Sequence, residues 1–326
     1  MESFWQKLPK PFFASAPMKD VTDAAFRALV ARRGAPNVTW AEFVSADGLY
    51  HTRELQRLPD AENPLMRDLA FDPSLERPIV AQLFSSRPDM IAYATKLVAE
   101  LDFDGVDLNM GCPDRSVEKQ GAGAALMKDP GLAVELIKAA KEASPLPVSV
   151  KTRIGYNKES LEEWLPPLLE AEPVAITLHL RTRKDLSLVP AKWELMNKAV
   201  AIRDRVNPSV LLIGNGDVAS VEEGKQLALE TGADGIMIGR GMFGNPWLFS
   251  ANANYGLTMS VDEKLAALVE LAHDFEKLSP PKHFDLLKKH VKAFVTGFPG
   301  AADLRAKLME SQSAADLERV LAEAKR

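Results

Sequence analysis

Phe12-Phe-Ala-Ser-Ala-Pro-Met18 is the stretch that decides between the two folds open to this chain. It begins as a short apolar run, as a buried strand does, and an amphipathic stretch typical of a helix follows over 22–33. A doubly wound sheet usually places a glycine-rich turn directly after its first strand. Because Ser15-Ala16-Pro17-Met18 contains no glycine, the sequence favours a (β/α)8 barrel, with the doubly wound sheet as the second candidate.

The same alternation of short apolar runs and longer amphipathic stretches continues to about residue 250. Strands are predicted over 12–16, 39–43, 78–83, 105–108, 147–151, 175–178, 210–213 and 235–238. Helices are predicted between them over 22–33, 88–100, 130–142, 160–170, 192–205 and 220–230. This order of buried strands and helices predicts an α/β protein, a (β/α)8 TIM barrel.

The pattern changes after Phe249, where helical stretches follow one another without strands. Helices are predicted over 261–278, 283–295, 301–310 and 313–325, with breaks at Ser279-Pro280-Pro281 and Gly297-Phe298-Pro299-Gly300. The chain is therefore predicted to consist of a barrel domain, residues 1–250, and a small helical domain, residues 251–326.

Composition excludes several classes of protein. The chain has 326 residues, of which 46% are hydrophobic and 26% charged, so it is neither disordered nor fibrous. Its formal net charge of −5 excludes a strongly basic nucleic-acid coat but leaves room for a local basic patch. The single cysteine, Cys112, excludes an intramolecular disulfide and a multi-cysteine metal centre, and no metal is expected.

The chain shows no targeting signal that would take it to a membrane. No apolar run reaches the roughly 20 residues of a membrane-spanning helix. The start, Met1-Glu2-Ser3-Phe4-Trp5, lacks the basic-then-apolar order of a signal peptide. A cytoplasmic protein, acting as a monomer, is expected.

Polar and glycine-rich segments follow the predicted strands, where barrel enzymes carry their functional groups. These segments are Asn109-Met-Gly-Cys-Pro113 with Gly121-Ala-Gly-Ala124, Lys151-Thr-Arg153, His179-Leu-Arg-Thr-Arg183, Gly214-Asn-Gly-Asp217 and Gly239-Arg-Gly241. The last two follow strands seven and eight, a common phosphate site in this fold, because glycines let backbone N–H groups approach an anion. Arg240 can add a bidentate contact to the phosphate.

Each of these residues also has a purely structural interpretation. Cys112 can be a small buried hydrophobic group, His179 a hydrogen-bonded core histidine and Lys151 a solvated charge at the rim. The glycines can simply form tight turns. Five polar strand ends around one barrel mouth nevertheless favour an active site over five coincidences.

The chain resembles the tRNA-dihydrouridine synthases over nearly its whole length. The matching barrel segments are Ala16-Pro-Met18, Val21-Thr-Asp23, Phe26-Arg27, Ala81-Gln-Leu83, Gly105–Pro113, Gly121–Leu126, Val150–Gly155, His179 with Arg181-Thr-Arg183, Asn215-Gly-Asp217 and Ile238–Gly241. Lys289-His290 and Gly297-Phe-Pro-Gly-Ala301 resemble the family's C-terminal helical domain. The Asn-x-Gly-Cys-Pro segment is the most specific of these motifs.

The resemblance implies an FMN-binding barrel that reduces the C5–C6 bond of uracil in tRNA, with NADPH reloading the flavin. It assigns cofactor contacts to Pro17, Met18, Lys19, Gln82, Lys151, His179, Asn215, Gly216, Asp217, Gly239 and Arg240. Cys112 matches the catalytic acid, and Asn109, Arg153 and Arg181 match groups near the uracil or the flavin. A cysteine suits the role of catalytic acid, because a thiol with an ordinary pKa of about 8.5 is mostly protonated at neutral pH and can donate a proton.

The sequence departs from the family pattern at several positions. Lys19 stands where a small or acidic residue is common, Leu180 where glycine is usual, and Phe294-Val295 where an aromatic pair often follows the Lys-His segment. These departures concern the substrate position and the grip on tRNA more than flavin binding.

A lysine cluster in the helical domain is the candidate tRNA contact. Lys282, Lys288, Lys289 and Lys292 are predicted to lie on one helix, with His283 and His290 beside them. Lys288, Lys289 and Lys292 are assigned to tRNA phosphates, although a charge run is more often a solvated face.

Three other functions remain open from the sequence. The chain can be an FMN barrel reductase for a small molecule, similar to dihydroorotate dehydrogenase, which would leave the helical tail without a role. It can be a redox-inactive tRNA-binding protein, which would not need Cys112, Lys151 and His179. It can also be a phosphate-sugar barrel without flavin.

Overall fold

The computed structural model describes residues 3–250 and 259–324. Eight strands form one sheet, and their bounds are β1 Phe12–Ser15, β2 Thr39–Ser45, β3 Ile79–Phe84, β4 Gly105–Met110, β5 Val148–Arg153, β6 Ala175–His179, β7 Leu211–Asn215 and β8 Gly235–Ile238. Their order is β1-β8-β7-β6-β5-β4-β3-β2, and every pair is parallel. The strand predictions are confirmed, within about two residues at each end.

The seam between β1 and β2 closes the sheet into a barrel. Ala14 and Val38 form a single parallel bridge there, with Ser15 N–H donating to the Val38 carbonyl at 3.2 Å. Trp40 and Phe12 are fully buried within this side of the barrel. The (β/α)8 fold is therefore confirmed, and the doubly wound sheet is excluded because its edge strands would not meet.

Helices cover the outside of the barrel. Their bounds are α1 Ala24–Gly34, α2 Ala46–Tyr50, α3 Pro64–Asp68, α4 Pro88–Glu100, α5 Arg115–Glu118, α6 Pro130–Ala143, α7 Leu161–Glu170, α8 Glu194–Val206 and α9 Val221–Thr231. Helix α6 begins where the sequence predicts, because the Asp129 carboxylate accepts the Leu132 N–H and Pro130 occupies the first turn. The six predicted barrel helices are confirmed.

Within residues 259–324 four further helices follow the barrel: α10 Val261–Glu276, α11 Lys288–Phe294, α12 Ala301–Leu308 and α13 Ala314–Ala324. The predicted helix over 283–295 is wrong in its first turn, since residues Phe284–Leu287 form a separate 3-10 turn before α11. The predicted domain boundary after residue 250 adjoins residues 251–258, which lie outside the described residues. Within the described part of the chain, no helix is both long and apolar enough to cross a bilayer.

Buried ion pairs join the C-terminal helices to the barrel. The Lys282 ammonium lies 2.7 Å from Glu42 Oε2, 3.5 Å from Asp68 Oδ1 and 3.7 Å from Asp20 Oδ1. Burial alone would lower the pKa of Lys282, but the nearby carboxylates of Glu42, Asp68 and Asp23 raise it. The prediction that Lys282 lies on one helix with Lys288, Lys289 and Lys292 is therefore wrong. Lys282 precedes the 3-10 turn, and its ammonium forms ion pairs inside the protein.

Candidate active site

A cavity of about 320 Å³ opens at the carboxyl ends of the strands. The predicted site residues that line it are Pro17, Met18, Gln82, Asn109, Cys112, Lys151, Arg153, His179, Asn215, Gly216, Asp217, Gly239 and Arg240. Phe43, Thr152, Ser187, Val218 and Met237 also line it and were not predicted, because apolar and small residues at strand ends carry no chemical signal. The barrel thus brings residues from all eight strands or their following loops to one place.

Not every predicted residue reaches this cavity. The Lys19 ammonium points away from the cavity and contacts Asp68 Oδ2 at 2.5 Å. Lys19 therefore shares the Asp68 carboxylate with Lys282. Arg181 is almost fully buried and lies behind the wall of the cavity, against His179 and Asp217.

A chain of buried hydrogen bonds forms the floor below Cys112. Asp107 Oδ1 accepts from the Ser149 hydroxyl at 2.6 Å, and Asp107 Oδ2 accepts from the Gln82 side-chain NH2 at 2.7 Å. The Gln82 carbonyl oxygen then accepts from the Asn109 NH2 at 3.0 Å. Because a carboxylate only accepts, it fixes the direction of both amides along this chain.

The free oxygen of Asn109 holds the loop that carries the cysteine. Asn109 Oδ1 accepts the backbone N–H of Gly111 at 3.1 Å and of Cys112 at 2.9 Å. Asp107 and Ser149 were missed by the sequence predictions, although the two-residue period of a strand places Asp107 on the same face of β4 as Asn109.

Burial determines the protonation of Cys112. It raises the pKa of the thiol above its usual value; the backbone N–H of Asp114 lowers this pKa and the Asp114 carboxylate raises it. Arg153 and Lys151 lower it by less. The side chain is therefore a protonated thiol at neutral pH, which is the form that a proton donor requires.

Lys151 is a half-buried cation of the cavity. Its ammonium donates to Asn215 Oδ1 at 3.3 Å, and the Asn215 NH2 donates to the Met237 carbonyl at 2.8 Å. Burial, with a further contribution from Arg153, lowers the pKa of Lys151 to about 8. The lysine keeps most of its charge at pH 7, and an anion placed against it would restore the rest.

Two buried arginines hold the surrounding loops. Arg153 Nε donates to the Gly111 carbonyl at 2.8 Å, and its Nη1 donates to the carbonyls of Thr182 and Leu186 at 3.1 and 2.9 Å. Arg181 Nη1 lies 3.1 Å from His179 Nε2. Since guanidinium only donates, His179 Nε2 accepts, and its ring proton is on Nδ1. Burial, then Lys151, lowers the pKa of His179, which is neutral.

The loops after β7 and β8 form the wall on the other side. Gly216 has φ +135°, a conformation that favours glycine, and a Cβ on Gly239 would lie 3.3 Å from Ala16 Cβ. Arg240, with 57% of its side chain exposed, pairs with Asp217, which also pairs with Arg181. The hydrogen bond from Arg181 lowers the pKa of Asp217, so this carboxylate stays ionised.

A second cavity, of about 580 Å³, lies beside α11. It is lined by Phe243, Asp285, Lys288, Lys289, Lys292, Ala293 and Met309, so the three predicted lysines come together. Lys288 pairs with Asp285, whereas Lys289 and Lys292 are exposed. His290 was expected beside this cluster but is buried, with Nε2 3.1 Å from the Val21 carbonyl, and burial lowers its pKa to about 4.

Comparison with known protein families identifies the chain's relatives. The model of the family described as dihydrouridine synthase matches residues 14–326. The chain belongs to the dihydrouridine synthase family. The match runs through the C-terminal helices, which a barrel reductase for small molecules would leave without a role.

Curated members of the dihydrouridine synthase family are similar along their whole length. A probable tRNA-dihydrouridine synthase from Staphylococcus aureus is 38% identical over 323 residues, which cover 99% of this chain and 95% of the relative. The probable tRNA-dihydrouridine synthase 2 of Bacillus subtilis is 38% identical over 321 residues, covering 98% of this chain and 96% of the relative.

Solved structures share the barrel fold of this dihydrouridine synthase family member at low sequence identity. Histamine dehydrogenase from Rhizobium sp. 4-9 matches 82% of this chain with a TM-score of 0.53 and 14% identity, and the chain spans 49% of that structure. A 2-naphthoyl-CoA reductase matches 73% of this chain with a TM-score of 0.54 and 9% identity, and the chain again spans 49% of that structure. These matches support the fold alone.

Proposed function

We propose that this protein reduces uridine to 5,6-dihydrouridine in tRNA, with FMN as its resident cofactor and NADPH as the reductant that reloads it. Family membership supplies the reaction class. The observation that carries the proposal is the shared cavity, where a protonated thiol and a half-buried lysine lie among loops of the phosphate-binding type. A monomer in the cytoplasm, where tRNA is found, belongs to the same proposal.

The residues of the cavity fit FMN. The loops Gly216-Asp217 and Gly239-Arg240 follow β7 and β8, the position at which this fold binds phosphate, and Arg240 adds a cation there. Ala16, Pro17 and Met18 supply an apolar wall for a flat ring. Lys151 supplies a positive charge that would stabilise the reduced, anionic ring. The anionic ring would in turn favour the protonated form of Lys151.

When bound, FMN would supply the hydride for carbon 6 of the uracil. The chain supplies the proton for carbon 5, and Cys112 is the group we assign to it because its thiol is protonated and lines the cavity. Asn109 holds the cysteine loop from below through Gly111 and Cys112 N–H. His179, neutral and fixed by Arg181, can accept or donate a hydrogen bond without adding a charge.

The RNA must present one uridine to the cavity. A uracil in a folded tRNA is stacked, so the target base has to leave the stack to reach Cys112. Lys289 and Lys292, with Lys288 on their flank, are assigned to tRNA phosphates because they are exposed on one side of α11. Arg153, which lines the cavity, is assigned to the uracil or its sugar through Nη2, because its Nε and Nη1 donate to backbone carbonyls.

The test is to incubate the purified protein with unmodified tRNA, FMN and NADPH and to map dihydrouridine by sequencing. One or a few mapped positions, dependent on both cofactors, support the proposal. Unmodified uridine at every position, with NADPH consumption that tRNA does not stimulate, would show that the cavity serves another substrate.

A further inference from the structure

Exposed apolar side chains concentrate in one loop of the barrel mouth. Among the described residues, the large hydrophobic side chains that are exposed are Leu55, Leu186, Leu188, Val189, Leu229 and Val261. Half of these lie in the four residues 186–189, and Leu188 is 83% exposed. Single exposed hydrophobic residues are ordinary on a protein surface, but a cluster of this kind marks a site of interaction.

This loop adjoins the cavity. It lies between β6, which ends at His179, and α8, which begins at Glu194. Ser187, which stands between Leu186 and Leu188, lines the cavity itself. A large substrate that places one base in the cavity can therefore bring the bases beside it against residues 186–190.

The loop is held in place by the buried groups of the active site. Arg153 Nη1 donates to the Leu186 carbonyl at 2.9 Å, and Arg181 Nε donates to the Val189 carbonyl at 2.6 Å. Beyond them, Asp217 accepts the Ala191 N–H at 2.9 Å. Two buried guanidinium groups therefore fix the backbone of this loop. The exposure of its apolar side chains follows from that fixed backbone conformation.

We propose that residues 186–190, here called the apolar wedge, contact the bases that flank the target uridine when tRNA binds. This inference rests on the proposed function. A base that leaves its stack exposes the faces of its neighbours, and apolar side chains are what proteins insert against such faces. Among the described residues, the charged side chains that line the cavity are Lys151, Arg153 and Arg240 with the carboxylate of Asp217, and in the loop itself Lys184 is exposed beside the half-buried Asp185. This charge favours a phosphate-bearing partner over a second copy of the acidic chain.

The test compares Leu188→Ser with Leu229→Ser in the flavin-loaded protein. Leu229 is 80% exposed but lies in the last turn of α9, at the barrel face opposite the mouth. Leu188→Ser should raise the KM for tRNA about fivefold, the size expected for partial burial of one leucine. Leu229→Ser should leave it unchanged, and flavin reduction by NADPH without tRNA should be the same in both variants.

A gain-of-contact pair tests the same surface by a spectroscopic signal. In Leu188→Trp the added tryptophan should stack on RNA bases, so that tRNA quenches its emission and binds at least as tightly as to the parent. In Leu229→Trp, tRNA should change the emission no more than in the parent protein.

Each other outcome overturns the inference. Equal KM values and equal quenching for the two positions, in a protein that forms dihydrouridine, would leave the wedge without a role in RNA binding. Loss of a dimer on sedimentation of Leu188→Ser, with unchanged tRNA kinetics, would make the loop a protein interface instead. A parent protein that forms no dihydrouridine would instead refute the proposed function.

Discussion

The barrel mouth and the C-terminal helices both carry cations toward the proposed substrate, but they present them differently. At the mouth, Arg153 and Arg181 are buried, Lys151 is half-buried, and all three are hydrogen-bonded to neighbouring groups. On α11, Lys289 and Lys292 are exposed. In the low dielectric of a buried site, the electrostatic interactions of a charge with its neighbours are strong. The interactions of an exposed charge are weakened by water and screened by salt.

This difference separates two tasks. The buried cations fix the positions of loops and define the electrostatics around Cys112 and the proposed flavin. The exposed lysines offer attraction that does not depend on precise geometry, as phosphate binding requires. Lys282 is the exception on the C-terminal side, since it is buried among carboxylates of the barrel.

The largest effect is expected at the mouth, from Cys112→Ala. A positioned general acid contributes about 10²–10⁴-fold in rate, so dihydrouridine formation should fall by this amount. Flavin occupancy and flavin reduction by NADPH should not change, because the floor below the loop remains intact. Single-turnover kinetics of the two half-reactions measure this, and a variant that modifies tRNA at the parent rate would place the proton source elsewhere.

The next effect concerns Lys282 and the joint between the two regions. Lys282→Met leaves Glu42 buried without its cation, although Asp68 keeps Lys19 and Arg67, and the unpaired Glu42 should cost roughly 3–5 kcal/mol of unfolding free energy. Lys277→Met is the control, because Lys277 is 73% exposed and its pair with Asp274 is worth less than about 1 kcal/mol. Urea unfolding measures both, and equal losses would contradict the distinction between buried and exposed cations.

A smaller effect is expected from Arg240→Ala at the proposed phosphate site. Flavin affinity should fall about three- to tenfold. This loss is smaller than that expected for a buried charged hydrogen bond, because the side chain of Arg240 is half exposed and water screens its charge. Arg87→Ala is the matched control, with the same exposure of 57% and a partner, Asp89, outside the cavity. Flavin titration by fluorescence gives both affinities, and an unchanged value for Arg240→Ala would remove this arginine from the cofactor site.

The smallest effect per residue is expected on α11. Replacing Lys289 and Lys292 with Gln should weaken tRNA binding and reduce the salt slope by roughly one unit for each lost phosphate contact. Lys288→Gln should do less, because Asp285 already neutralises Lys288.

Lys96 and Lys138, which are exposed on α4 and α6, provide the control pair for this measurement. Their replacement by Gln makes the same change in net charge on barrel helices. If both pairs of substitutions shift the slope equally, tRNA responds to net charge and not to the surface of α11.

The sequence was sufficient to predict the barrel and most of its mouth. Periodicity places β8 at Gly235–Ile238 and α4 at Pro88–Glu100 without error, because these are strongly patterned elements. The strand ends follow from the fold, so Cys112, Lys151 and His179 were expected to converge and they do line one cavity.

Burial between distant segments was not predictable. Lys282 looks like its neighbours in the lysine cluster, and only the folded chain brings Glu42, 240 residues away, to its ammonium. His290 and Lys19 were misplaced for the same reason, since their partners Val21 and Asp68 are determined by packing. The apolar wedge was likewise hidden, because Leu186 and Leu188 read as ordinary hydrophobic residues until their exposure is known.

The central claim, that one cavity delivers a hydride from flavin and a proton from Cys112 to a uridine of tRNA, is tested most directly by a half-reaction without oxygen. The flavin of the purified protein is reduced with one equivalent of NADPH, and unmodified tRNA is then added while the flavin absorbance is followed. We predict that tRNA reoxidises the flavin and that dihydrouridine forms at a defined position in equal amount. A flavin that stays reduced in the presence of tRNA, with no dihydrouridine formed, would contradict the claim.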